Sequence, residues 1–182
     1  MSDLLNRAVR FARKAHESID QRRKYTNEPY FNHPKEVAAL LVALAEGSIS
    51  EHQIAAAYLH DVVEDTPVTL AEIRREFGPK IASLVAELTN VSKPEDGNRA
   101  RRKQIDREHL RQASPEAKSI KLADVISNVT GIARLDPEFA RVYLVEKQAL
   151  LEELTDGDPR LWEHAQRTIN TQSALIAPVR AN

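Results

Sequence analysis

The segment Ala55-Ala-Ala-Tyr-Leu-His60-Asp61-Val-Val-Glu64-Asp65-Thr66 begins as an apolar helix and ends in a cluster of charge. A helix so apolar at its start is expected to be buried, where charged groups are rare unless they are paired or bind a metal. His60 and Glu64 stand four residues apart, as do Asp61 and Asp65, so the two pairs project from neighbouring faces of one helix end. The alternative is a polar last turn facing water, and a His-Asp dipeptide alone does not decide between them. A second such place is Asp124, a lone carboxylate in the largely apolar stretch from Ser119 to Asn128. Asn128 shares its face. Asp124 either pairs with a basic group or reaches the same ion as His60 and Asp61. A third is His33, which opens a helix after Tyr30-Phe-Asn and a basic loop. The helix dipole disfavours a protonated imidazole there, and the neutral form is the one that binds metal.

Taken together, His33, His60, Asp61 and Asp124 make a two-histidine, two-carboxylate set on three helices. Such nitrogen and oxygen ligands suit a divalent ion such as Mn²⁺, Fe²⁺ or Zn²⁺. Four protein ligands on an ion that can take six would leave positions for water and substrate. Water on such an ion has its pKa drawn toward neutrality and becomes a nucleophile. Glu64 and Asp65, one turn beyond, could orient that water or take its proton. His16, His52, His109 and His164 have no such company and read as surface or satisfied core residues.

These side chains need a scaffold, and the composition indicates which. The 182 residues suit one domain, with residues 1–177 as its body and 178–182 as a frayed tail. There is no cysteine, which excludes disulfides, zinc-thiolate sites and thiol nucleophiles. The formal net charge is -1, from 26 basic and 27 acidic residues, which is no footprint for nucleic-acid binding. No apolar run reaches the ~18 residues of a membrane span, and the first residues lack a signal core, so a cytoplasmic protein is expected. Glycine is scarce and no window alternates β-branched with polar residues, so the chain reads as all-α, a compact bundle of eight to nine helices. Prolines mark where helices begin, as in Ser114-Pro115, Asp136-Pro137 and Asp158-Pro159, with Ser or Asp as the cap. Thr69 with Glu72 reads as a capping box. The expected helices are 2–18, 34–46, 50–63, 69–77, 79–90, 98–112, 115–134, 137–155 and 159–176.

The pieces together resemble the HD-domain metal-dependent phosphohydrolases. They are more closely similar to the hydrolase domain of RelA/SpoT homologues and the stand-alone small alarmone hydrolases. The resemblance rests on Arg22-Arg-Lys24 with Glu28-Pro-Tyr-Phe-Asn-His33-Pro34, then Tyr58-Leu-His60-Asp61-Val-Val-Glu64-Asp65-Thr66, Phe77-Gly78, and Ile120-Lys-Leu-Ala-Asp124 with Asn128. It spans residues 3 to 155, and no synthetase region follows, as in the stand-alone form. It implies that His33, His60, Asp61 and Asp124 bind one divalent ion, usually Mn²⁺, and that Glu64 and Asp65 place and activate water. Arg23 and Lys24 would lie near the nucleotide, Asn128 would contact its ribose or base side, and Tyr143 would line the pocket. The implied activity is hydrolysis of the 3′-pyrophosphate of (p)ppGpp, giving pyrophosphate and GDP or GTP. The implied partner is a small nucleotide, with no nucleic acid and no membrane, and a homo-oligomer is neither required nor excluded.

The chain departs from that pattern after Asp124, where many relatives carry a basic residue and this one has Val125, then Ile126 and Ser127. These positions are expected beside the substrate pocket. They leave an adenine alarmone, or a cofactor with a 2′- or 3′-phosphate such as NADPH, as alternative substrates. A non-catalytic nucleotide-binding module is a reading of another class, and the intact ligand set argues against it. The loop from Arg22 to Lys24 would clamp phosphate, or simply be solvated. The run Arg99-Ala-Arg-Arg-Lys103 reads as a solvated helix face, with a positive rim for a polyanion as its alternative.

Overall fold

The computed structural model describes residues 2–176, so the tail expected at 178–182 lies outside the described residues. Among the described residues the regular structure is helical, apart from one isolated antiparallel bridge between Arg22 and Pro29. In chain order the helices are α1 (Asp3–Glu17), α2 (Asn32–Leu44), α3 (Glu51–Leu59), α4 (Val62–Asp65) and α5 (Leu70–Leu88). A 3₁₀ turn at Pro94–Asp96 leads to α6 (Arg99–Arg111), α7 (Pro115–Val129), α8 (Ile132–Leu135), α9 (Pro137–Leu151) and α10 (Pro159–Ile176). No described helix is long and apolar enough to cross a membrane.

Local chemistry accounts for most boundaries. Ser114 and Asp136 each accept a hydrogen bond from a backbone N–H of the first turn, with proline directly after the cap. Thr69 and Glu72 form the expected capping box, and Ser50 with Gln53 forms another. Gly78, at φ 83° and ψ 173°, kinks α5 just before Pro79, at the boundary the sequence marks between two helices.

Two expected helices are interrupted. The stretch 50–63 breaks between Leu59 and Val62, leaving His60 and Asp61 between α3 and α4. The stretch 115–134 breaks at Gly131, whose φ of 81° lies in the left-handed region that glycine adopts without steric penalty. The first interruption holds two of the candidate ligands, His60 and Asp61.

Helix α7 runs through the middle, packed by α2, α3, α5, α9 and α10. Its residues Lys118, Ser119, Asp124 and Ser127 are therefore buried, and they are partnered, as buried polar groups must be. Lys118 reaches Asp156 at 2.9 Å, and Ser119 Oγ donates to the Pro115 carbonyl while accepting from Asp158 N–H. Around α7 the apolar side chains of α1, α2, α3, α5, α9 and α10 form one contiguous cluster. Asp124 thus sits on the most enclosed helix of the molecule.

Candidate metal centre

Successive residues of a straight helix point about 100° apart. His60 and Asp61 nevertheless converge, with His60 Nε2 3.1 Å from Asp61 Oδ1, where the helix is interrupted. His33, in the first turn of α2, brings its Nε2 to 3.5 Å from Asp61 Oδ2. Ligand atoms of His33, His60 and Asp61 lie within 4.8 Å of one another. Asp124 Oδ1 on α7 joins them, 3.1 Å from His33 Nε2 and 3.8 Å from His60 Nε2.

Both histidines are oriented from behind. His60 Nδ1 lies 2.9 Å from the Ala57 carbonyl, which can only accept, so Nδ1 carries the proton. His33 Nδ1 lies 3.1 Å from Ser127 Oγ, whose own proton goes to Glu36 Oε2 at 2.7 Å. The Ser127 oxygen therefore accepts from Nδ1–H. In the neutral form of each ring the lone pair sits on Nε2, facing the carboxylates. Both Nε2 atoms are buried and, apart from the carboxylates they face, have no hydrogen-bond partner. A pair of orphaned buried nitrogens, tautomers fixed by backbone and side-chain acceptors, is the usual arrangement behind a metal-ligating histidine. The residues present fit a divalent cation.

Electrostatics agrees. Burial alone would lower the His60 imidazole, but Asp61 and Asp124 overcome it and raise the group to about 10. Burial opposes ionisation of the two aspartates, yet His60 beside Asp61 and Lys121 beside Asp124 hold both well below the usual carboxylate range. The centre thus holds ionised carboxylates around the His60 proton that a cation would displace.

The two carboxylates open onto a cleft of about 230 Å³. Its acidic end adds Glu64 and Asp65, both lining the cleft. Asn90 grips Glu64 through its side chain at 2.6 Å and its backbone N–H at 3.2 Å. Gln21 donates to Asp65 Oδ2 at 2.9 Å. Burial, with Asp61 nearby, raises Asp65 against that hydrogen bond. Tyr30 donates to Asp61 Oδ2 at 2.7 Å, and Asn128 to Asp124 Oδ1 at 2.5 Å.

The cleft also has a basic wall, formed by Arg99, Lys103, Arg107, Lys121 and Lys147. Arg99 makes a two-pronged pair with Glu146 at 2.7 Å, and Lys121 lies 2.7 Å from Asp124 Oδ2. Lys103 is only 3.8 Å from Asp106, a carboxylate already engaged by the backbone N–H groups of Val91 and Ser92 and the Ser92 hydroxyl. Lys147 Nζ stands 4.9 Å above the Tyr143 ring, and its burial, with Lys121 nearby, pushes the amine down to about 8. A second cleft, about 200 Å³, shares Tyr30, Asn128 and Tyr143 with the first and is walled by Arg23, Lys24, Tyr25, Ile132 and Leu135.

All four expected ligands therefore come together, and Glu64 and Asp65 flank them in one cleft. Asn128 and Tyr143 stand between the two clefts, while Arg23 and Lys24 line only the second. Arg22 is turned away onto Asp20 at 2.7 Å, and Lys24 is exposed and pairs with Asp136 at 3.3 Å. Two expectations are corrected. Val125, Ile126 and Ser127 are buried and line neither cleft. Three residues on from Asp124, Ser127 faces α2 and supports His33. The run Arg99–Lys103 is not all solvated face, because Arg99 and Lys103, four residues apart, both turn into the cleft.

Reasoning from sequence missed Lys121, Lys147, Tyr30, Gln21, Asn90 and the Glu36–Ser127 pair. For Lys121 and Lys147 a signal existed: each stands one helical turn from a site residue, Asp124 and Tyr143 respectively.

The family model described as HD domain matches residues 8–154. The guanosine-3′,5′-bis(diphosphate) 3′-pyrophosphohydrolase MESH1 of Xenopus tropicalis is 38% identical over 137 residues, covering 74% of this chain and 73% of that protein. A GTP pyrophosphokinase rsh of Brucella melitensis is 37% identical over 141 residues, but the match spans only 18% of its length. Among solved structures, one described as a metazoan ortholog of SpoT that hydrolyzes ppGpp and plays a role in starvation responses superposes with a TM-score of 0.82. It is 28% identical, and the match covers 94% of this chain and 96% of that one.

Proposed function

This chain belongs to the HD-domain family, and from that premise we propose that it is a divalent-metal-dependent hydrolase of the 3′-pyrophosphate of (p)ppGpp. The observation that carries the reading is the pair of orphaned Nε2 atoms of His33 and His60, tautomers fixed, facing Asp61 and Asp124. The MESH1 relative and the SpoT-ortholog structure support the substrate.

In the proposed reaction a water oxygen bonds to the 3′-linked phosphorus and the bond from that phosphorus to the ribose 3′ oxygen breaks. Pyrophosphate leaves on one side and GDP or GTP on the other, the 3′ oxygen taking up a proton. His33, His60, Asp61 and Asp124 would hold the ion, for which Mn²⁺ suits the mixed nitrogen and oxygen donors. When bound, the ion supplies charge neutralisation at the phosphoryl oxygens and acidifies water. Glu64, fixed by Asn90, and Asp65, fixed by Gln21, would orient the attacking water and take its proton. Asn128, hydrogen-bonded to Asp124, would steady that ligand while meeting the ribose side. The basic wall, with Lys103 and Lys147 lacking a close carboxylate, would hold substrate phosphates. Tyr143 would support the nucleoside, with Arg23 and Lys24 beyond it in the second cleft. The partner is then a small nucleotide, and the cytoplasm is its proposed setting.

A turnover panel of ppGpp, ppApp, NADPH and a simple nucleoside monophosphate, in Mn²⁺ and in chelator, tests this. Pyrophosphate is expected from ppGpp in Mn²⁺ and not in chelator. Cleavage of the monophosphate with both alarmones untouched would overturn the substrate assignment.

A further inference from the structure

Joined to Asp65 is a partly buried polar chain, lining neither cleft beyond Asp65 itself, to which the reaction above gives no role past Gln21. His16, on α1, is 1% exposed. Its Nδ1 lies 2.6 Å from Gln21 Oε1, and Gln21 Nε2 donates to Asp65 Oδ2 at 2.9 Å. The His16 ring also tilts against Tyr30, centroids 4.9 Å apart, and Tyr30 is the donor to Asp61.

The direction of these hydrogen bonds is forced. A carboxylate accepts, so the Gln21 amide must present its N–H₂ to Asp65 and its oxygen to His16. His16 must then donate from Nδ1. Burial lowers the imidazole from its ordinary range, and with Nδ1 as the donor the lone pair of the neutral ring lies on Nε2. That Nε2 is buried and has no hydrogen-bond partner. An apolar side chain of similar size would fill the place without leaving an acceptor unmet. What the histidine adds is the Nδ1 proton, which sets the amide. The backbone of Gln21 is held separately, its N–H donating to the His16 carbonyl and its carbonyl accepting from Tyr30 N–H. The side chain is therefore free to act as a spacer between His16 and Asp65 without being the loop's only anchor.

We propose that His16 and Gln21 are positioning residues for Asp65: His16 locks the Gln21 amide, and the amide ties down Asp65 Oδ2 so that the other carboxylate oxygen addresses the attacking water. This rests on the reading of Asp65 as a group that acts on that water. Neither residue touches substrate or metal in this scheme, so their loss acts on kcat rather than on KM or metal content.

The test compares steady-state kinetics on ppGpp, bound Mn²⁺ and thermal melting for Gln21→Met, His16→Leu, His16→Asn and Asp65→Asn. Outer-shell partners of a reactive site are worth about 10- to 100-fold when removed. Gln21→Met and His16→Leu are expected to lower kcat by about that factor, with KM and Mn²⁺ stoichiometry at the wild-type level. His16→Asn, whose amide N–H₂ stands near the place of Nδ1, is expected to recover most of the loss. A merely structural histidine would show a lower melting temperature in both His16 variants with no such recovery. Should His16→Leu fail to fold, Gln21→Met decides, since the Gln21 backbone is held independently. Wild-type kcat in Gln21→Met alongside an inactive Asp65→Asn overturns the inference and leaves the Asp65 reading standing. Full activity in Asp65→Asn removes the Asp65 reading and this inference with it.

Discussion

The acidic and basic linings of the first cleft differ in how completely the protein satisfies them. At the acidic end every carboxylate has a donor from elsewhere in the chain: Tyr30 on Asp61, Lys121 and Asn128 on Asp124, Asn90 on Glu64 and Gln21 on Asp65. Behind His33 and His60 stand Ser127 with Glu36 and the Ala57 carbonyl. At the basic wall Arg99 and Lys121 are paired, but Lys103 has only a distant, already engaged carboxylate, and Lys147 has an aromatic face. One end is built to hold geometry in the absence of substrate. The other carries cationic charge that an incoming polyanion would neutralise. Preorganisation matters most where bonds change, and counter-charge can be left to the ligand where phosphate is merely held.

That contrast is broken most severely at the histidines. His60→Ala is expected to abolish both bound Mn²⁺ and turnover, read by metal analysis and released pyrophosphate. A His60→Ala protein that keeps its metal would mean the ligand set is elsewhere. Next in size is Glu64→Gln, expected to lose about 10²- to 10⁴-fold in kcat while retaining the ion, since Glu64 is assigned to the water and not to the metal. Smaller again is Ser127→Ala. It removes the acceptor for His33 Nδ1–H, and Mn²⁺ affinity is expected to fall about 10- to 100-fold as measured by calorimetry. An unchanged affinity would show that His33 needs no support from α7.

The basic wall should respond in KM instead. Lys147→Met is expected to raise KM for ppGpp by about tenfold, the equivalent of ~1.4 kcal/mol, with kcat within a few-fold of wild type. The same variant sharpens the comparison without substrate. The folded amine sits at about 8 against an ordinary 10.5, so the folded state binds fewer protons. The resulting destabilisation is fully present below about 8 and is relieved as pH rises toward 10.5. Wild-type stability is therefore expected to climb relative to Lys147→Met over that window in denaturant titrations. Parallel curves would place Lys147 in water.

Much of the acidic end could be read from the chain because burying charge is costly. His60, Asp61 and Asp124 stand out as ionisable groups in apolar helices, and that anomaly needs no tertiary information. The caps at Ser114, Asp136 and Thr69 were legible for a similar reason, each being a local hydrogen bond. The breaks at His60–Asp61 and Gly131 were not: His60 and Asp61 keep nearly helical angles, and Gly131 follows a stretch with strong helical periodicity. Gln21 and Asn90 were invisible because their partners, Asp65 and Glu64, lie 44 and 26 residues away. Ser127 was misread because Asp124 alone suggests which face of α7 is the pocket, whereas the facing residues His33 and Glu36 belong to another helix.

At the centre of this picture is a fixed divalent-ion site at which metal displaces the proton that Asp61 and Asp124 hold on His60. Calorimetric titration of the metal-free protein with Mn²⁺ in two buffers of different ionisation enthalpy addresses it directly. The account predicts about one ion per chain, with protons released on binding, and neither signal in His60→Ala. Folded wild-type protein that takes up no Mn²⁺, or that binds it without releasing protons and equally well in His60→Ala, would contradict the account.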